Sequence, residues 1–162
     1  MRRRALLSSL AGAMLLWPGA AYAHLMTTGL GPIYDGISHL FLTFDDLLPV
    51  IAMALLAGLS GPATGRRVLF ILPAAWLAGG VAGYLTGVAP LPAGVTSLSL
   101  VALGVLTAAD RKLSALFVTA LAVTLGTVHG WLNGAATAAA GREATGLVGI
   151  AGAIFLMVAL AS

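Results

Sequence analysis

Two short stretches hold most of the side chains in this sequence that could do chemistry. The first is Gly36-Ile-Ser-His39-Leu-Phe-Leu-Thr43-Phe-Asp45-Asp46, and the second is Thr127-Val-His129-Gly-Trp-Leu-Asn133. The third histidine of the chain is His24. Imidazole and carboxylate together suit borderline divalent metals such as nickel, cobalt, zinc or copper. Neutral histidine is also the commonest metal ligand, so binding would compete with protons. His129 and Asn133 are four residues apart and share one helical face. If a helix starts near Thr43, Pro49 cannot donate to the carbonyl of Asp45, which is then free beside two carboxylates. Membrane transporters hold cations with freed carbonyls of this kind. His24, as the first residue of a processed chain, would offer both its amine and its ring. The candidate metal-ligating residues are therefore His24, His39, Asp45, Asp46, His129 and Asn133.

Each has a plainer explanation. Thr43 followed three residues later by Asp46 fits a helix N-cap, where acids favour the dipole. His39 can sit at the headgroup level, His129 can donate a hydrogen bond to a neighbouring helix, and His24 can belong to a frayed terminus. No nucleophile stands at a persuasive spacing from a base, so an enzyme is not expected. A phosphate-cradling Gly-x4-Gly-Lys-Ser/Thr loop is absent from the sequence, and no prosthetic group is implied.

The elements that position these residues are membrane helices. The chain is 60% hydrophobic and 8% charged, with a mean hydropathy of +1.05. Apolar stretches near the length of a span recur to its end. Arg2–Arg4, the apolar run Ala5–Trp17 and Ala21-Tyr22-Ala23 have the order of a secretory signal peptide, residues 1–23, cleaved before His24. That leader carries three of the eight cations, and the five that remain match the five acids. A neutral mature chain leaves no basic patch for nucleic acid. The lack of cysteine removes disulfides and thiolate sites, and is compatible with an oxidising periplasm.

Residues 24–162 read as one polytopic domain, an all-α membrane protein built as a compact bundle of about five transmembrane helices. The spans are placed at about 43–59, 68–88, 93–108, 113–136 and 145–161. With the mature N-terminus outside, the loops Ser60–Arg67 and Ala109–Lys112 face inward. They hold Arg66, Arg67, Arg111 and Lys112, as the positive-inside rule requires. The same topology brings all three histidines, Asp45 and Asp46 to the outer side. Gly79, Gly83 and Gly87, and Gly126, Gly130 and Gly134, recur every four residues and predict grooves where backbones approach closely. Trp76, Trp131, Tyr34 and Tyr84 are expected to be packing or interfacial aromatics.

This pattern resembles the HupE/UreJ family of small membrane proteins, regarded as nickel or cobalt permeases. Members have a cleaved signal, a first-span His-x5-Asp-His motif followed by an apolar run, and a later His-Gly-x-x-His-Gly motif. Here the counterparts are His39-x5-Asp45-Asp46 with Leu47-Leu-Pro-Val-Ile-Ala-Met53, and His129-Gly130-Trp131-Leu132-Asn133-Gly134. Asp46 stands where the family has a second histidine, Asn133 where it has another, and five spans replace the usual six. The resemblance carries over His39, Asp45 and His129 directly, and positions 46 and 133 as altered site positions.

What the resemblance implies is a nickel- or cobalt-type permease of the bacterial inner membrane, multi-pass, with its N-terminus periplasmic. The ion is substrate, not cofactor. The alternative is a non-transporting accessory or assembly subunit for a metalloenzyme. Expected partners are the lipid bilayer and either a second copy or a metalloenzyme maturation protein.

Overall fold

The computed structural model describes residues 27–88, 92, 94–109 and 113–161. The signal peptide and His24 lie outside the described residues, as do Asp110, Arg111 and Lys112 of the second inward loop. Six helices follow one another: α1 (Pro32–Leu42), α2 (Phe44–Leu59), α3 (Pro62–Thr86), α4 (Gly94–Ala108), α5 (Ala115–Ala139) and α6 (Gly146–Ala161). Among the described residues there is no strand.

Local chemistry sets these boundaries. Pro32 and Pro62 open α1 and α3, each preceded by a glycine with positive φ. A missing N–H costs nothing in a first turn. Ser114 caps α5 by accepting a hydrogen bond from the Phe117 amide at 3.2 Å. Gly87 ends α3 in the left-handed region at φ 63°, a conformation that only glycine adopts cheaply.

The five expected spans coincide in sequence with helices α2 through α6, but only two or three spans are long and apolar enough to cross a membrane, and two further differences appear. Helix α3 starts at Pro62, so Arg66 and Arg67 are exposed on its early turns and not in a loop. Helix α1 was not foreseen as a separate element. It meets α2 at Thr43 with a bend of 77°. Two helices, α3 and α5, are long and apolar enough to cross a membrane, and the bent pair α1–α2 makes a third if it acts as one span. Both long helices have 25 residues, or about 37 Å at 1.5 Å per residue, against about 30 Å of hydrocarbon. Helices α4 and α6, with 15 and 16 residues, are apolar but shorter, about 23 Å.

Helices α3 and α5 form the most extensive contact in the bundle. The glycine stripes are the reason. A Cβ on Gly130 would run into the Trp76 carbonyl, and one on Gly134 into the Gly80 carbonyl. Gly83 abuts the Trp131 backbone in the same way. Close backbone approach maximises dispersion contact where lipid provides no hydrophobic drive. Gly87, the last of its stripe, serves the helix end instead. Tyr84 Oη donates to the Arg142 carbonyl at 3.0 Å, fixing the end of α3 against the α5–α6 connection. Arg66 and Arg67 therefore lie toward the opposite end of α3. Helix α6 covers α1, α2 and α3, and its buried Leu147, Ile150, Ile154 and Val158 complete the core.

Candidate functional site

Asp46 is the hub of the site. It is buried in the first turn of α2, and its side chain meets residues of α1 and α5. His129 Nδ1 donates to Asp46 Oδ1 at 2.8 Å, and Asn133 Nδ2 donates to Asp46 Oδ2 at 3.0 Å. Asn133 Nδ2 also reaches the His129 carbonyl at 3.0 Å, one turn back on the same helix. His39 Nε2 donates to Asn133 Oδ1 at 2.6 Å and lies 3.8 Å from Asp46 Oδ2. Behind the two imidazoles stand two hydroxyls: Thr43 Oγ1 at 3.3 Å from His39 Nδ1, and Ser99 Oγ at 2.8 Å from His129 Nε2.

The directions of these bonds form one consistent set, assigned from the network. The Asn133 amide nitrogen faces the carboxylate and its oxygen faces His39. Thr43 donates to His39, His39 to Asn133, and Asn133 to Asp46. From the other side His129 donates to Asp46 through Nδ1, while its Nε2 meets the Ser99 hydroxyl. Every donor chain ends on a carboxylate that only accepts. Among the described residues no lysine or arginine forms an ion pair with Asp46.

Backbone geometry makes this possible. Thr43, with φ −101° and ψ 92°, ends α1 and begins α2. Its side chain makes no capping bond, and its hydroxyl turns to His39 instead. The capping explanation for Asp46 thus gives way, since its carboxylate is occupied by His129 and Asn133. Asp45 is exposed and joins none of these contacts. Adjacent helical residues point about 100° apart, so when Asp46 faces the core Asp45 faces outward. Pro49 lies buried inside α2, and its missing N–H deprives the Asp45 carbonyl of its helical partner.

Burial grades across the cluster. His129 is fully buried and Asp46 is 4% exposed, whereas the His39 side chain retains 11%. His39 borders a cleft of about 190 Å³ that Asp35, Thr137, Arg142 and Glu143 also line. At its rim Asp35 accepts two hydrogen bonds from Thr28 and pairs with Arg142 at 3.6 Å, tying α1 to the α5–α6 connection. On the far side, His129 and Ser99 border an apolar groove of about 230 Å³ between α4 and α5. The Trp76 ring lies 5.3 Å from the His129 ring, tilted by 41°. Its Nε1 is buried without a hydrogen-bond partner.

His39, Asp46, His129 and Asn133 thus come together, Asp45 stays apart, and His24 lies outside the described residues. Among the described residues no three histidine or carboxylate side chains stand in metal-holding geometry. Their polar atoms are spent on one another. Ser99 is a part of the site that sequence reasoning did not single out, while Thr43 was read as a helix cap and Trp76 as a packing aromatic. Ser99 sits in Thr96-Ser97-Leu98-Ser99 of an apolar helix, where hydroxyls ordinarily bond back to their own backbone. Ser99 does so too, with the Thr96 carbonyl 2.7 Å away.

Comparison with curated proteins and with solved structures gave no match. The family described as HupE / UreJ protein matches residues 12–162, which takes in all the helices and every residue of the cluster. On that extent of similarity, and with the two motifs meeting in one buried site, the chain belongs to the HupE/UreJ family.

Proposed function

We propose that this chain is a permease for a divalent transition metal, nickel or cobalt by the habit of its family, with the ion site toward the periplasmic face of the bacterial inner membrane. The observation that carries the reading is Asp46, a buried carboxylate that receives hydrogen bonds from an imidazole and an amide and, among the described residues, no ion pair from lysine or arginine. A buried carboxylate is costly inside an apolar bundle, and a bound cation offsets that cost. The 3.8 Å between His39 Nε2 and Asp46 Oδ2 has room for an ion about 2 Å from each. Asn133 Oδ1 lies beside that gap. Entry runs through the cleft that His39 borders, whose lining includes Glu143 and the paired Asp35 and Arg142. The role is transport, with no chemical step and no resident cofactor.

The test is metal accumulation, by elemental analysis, in cells lacking their own nickel and cobalt importers. Cells expressing the chain should accumulate one ion well above cells expressing H39A at equal protein level. Equal background uptake by both, with a metalloenzyme component co-purifying, would establish an accessory subunit instead.

A further inference from the structure

A guanidinium stands in the cleft through which the ion would reach His39. Arg142 lines that cleft together with Asp35 and Glu143, and its Nη1 lies 3.6 Å from Asp35 Oδ2. The two oxygens of Asp35 are used differently. Oδ1 accepts the Thr28 amide at 2.6 Å and the Thr28 hydroxyl at 2.7 Å, so it is committed. Oδ2 faces Arg142 at a distance longer than a hydrogen bond. A partly exposed ion pair of that length is weak and open to competition.

The backbone of Arg142 is firmly set. Gly141, at φ 64°, ends α5 in a left-handed turn. Its amide donates to the Ala138 carbonyl at 2.9 Å, and the Arg142 amide to the Thr137 carbonyl at 3.0 Å. Tyr84 Oη holds the Arg142 carbonyl. The side chain, which keeps 25% of its surface exposed, is the part that can swing. Nor is the ion pair needed to seat α1. A Cβ on Gly36 would meet the Gly146 carbonyl and one on Gly149 the Ile33 carbonyl, so α1 and α6 already touch backbone to backbone. A positive charge at the entrance to a cation site repels what must enter unless it yields.

We propose that Arg142 is the charge filter of the entry cleft: held on Asp35 Oδ2, it turns away singly charged cations and yields that oxygen to a divalent one. This rests on the permease reading and adds the selectivity of its entrance. At equal distance a divalent ion is drawn to the carboxylate roughly twice as strongly as a guanidinium or a sodium ion. Glu143, next in the chain and exposed, keeps the mouth negative once Arg142 swings aside.

The chain has no cysteine, so a single introduced one reports on the cleft. In H39C, modification by cationic trimethylammonium-ethyl and anionic sulfonato-ethyl methanethiosulfonate is compared in detergent micelles, with T137C as a second reporter from α5. R142Q should raise the cation-to-anion rate ratio about tenfold at low ionic strength, the lower end of electrostatic steering, and salt should erase the gain. R142K keeps the charge and should match its parent. D35N removes the carboxylate that engages Arg142 and should lower the ratio. An R142Q ratio unchanged from its parent at both reporter positions overturns the filter, whatever the chain transports. Nickel influx into proteoliposomes reads the selectivity. Sodium should inhibit influx more strongly in R142Q than in the wild type, because monovalent ions then reach the acids. Equal inhibition overturns the inference while the permease reading stands. Wild-type influx no greater than that of H39A removes the permease reading, and the cysteine rates still decide whether Arg142 filters charge.

Discussion

His39 Nε2 and Asp46 Oδ2 are 3.8 Å apart although seven residues separate them in the chain. On a straight helix that separation is about 10 Å along the axis. The 77° bend at Thr43 removes it by turning α1 across the start of α2. The bend lets the α1–α2 pair present an imidazole and a carboxylate to the same space, which α5 closes with His129 and Asn133.

The two ion-facing residues should be more sensitive than their neighbours. H39A and D46N are expected to abolish metal uptake. H129A should retain residual uptake with affinity reduced about 10–100-fold, as for the loss of an orienting partner. D45N, at an exposed position outside the cluster, should transport like the wild type. Uptake rates against metal concentration at matched protein levels check all four.

Asn133 joins His39 to Asp46, so its loss should register in stability. N133A leaves the His39 and Asp46 partners unsatisfied in a buried setting, at a cost of about 1–3 kcal/mol. Thermal unfolding in detergent should show a lower Tm. N133H restores the family's residue at this position, and should tighten nickel binding at the expense of the amide bridge. Nickel titration by calorimetry measures the gain.

Helix α5 tolerates no side chain where it crosses Trp76. G130A drives a methyl group into the Trp76 carbonyl and should separate α3 from α5, lowering Tm and weakening metal binding together. G152A adds its methyl to open space on α6 and should leave both unchanged or raise stability by up to about 1 kcal/mol through helix propensity.

Trp76 offers an optical report of the site, since its ring lies 5.3 Å from that of His129. In a W17F/W131F double variant it is the one remaining tryptophan. Nickel, cobalt or copper should quench its fluorescence saturably, and H39A should abolish the quenching. Quenching that never saturates would mean collisional contact without a site.

Much of this was legible in the residues. Apolar lengths and punctuating Pro and Gly placed α2, α4, α5 and α6 to within three residues, whereas α3 begins six residues before its expected start. The glycine stripes foretold the α3–α5 contact, because only absent side chains allow carbonyls so near. His39, Asp46, His129 and Asn133 stood out as polar groups in an apolar chain, where each must have a reason. The helix start at Thr43 was legible, but helix α1 before it and the angle between the two were not. Gly36-Ile-Ser-His39-Leu-Phe-Leu42 lacks a strong stop signal, and the bend is held by tertiary contacts of α1 with α6. Asp45 and Asp46 were indistinguishable until the helix phase was known. Ser99 was invisible because its partner comes from another helix, 30 residues later.

Flux through the purified chain tests the permease reading most directly. The chain is reconstituted into proteoliposomes, and influx of radioactive nickel and cobalt is followed beside vesicles carrying H39A at equal density. Saturable influx of one ion in the wild type, lost in H39A, is the predicted result. Wild-type vesicles no more permeable than H39A or protein-free vesicles would contradict it and leave a metal-binding membrane subunit that does not transport.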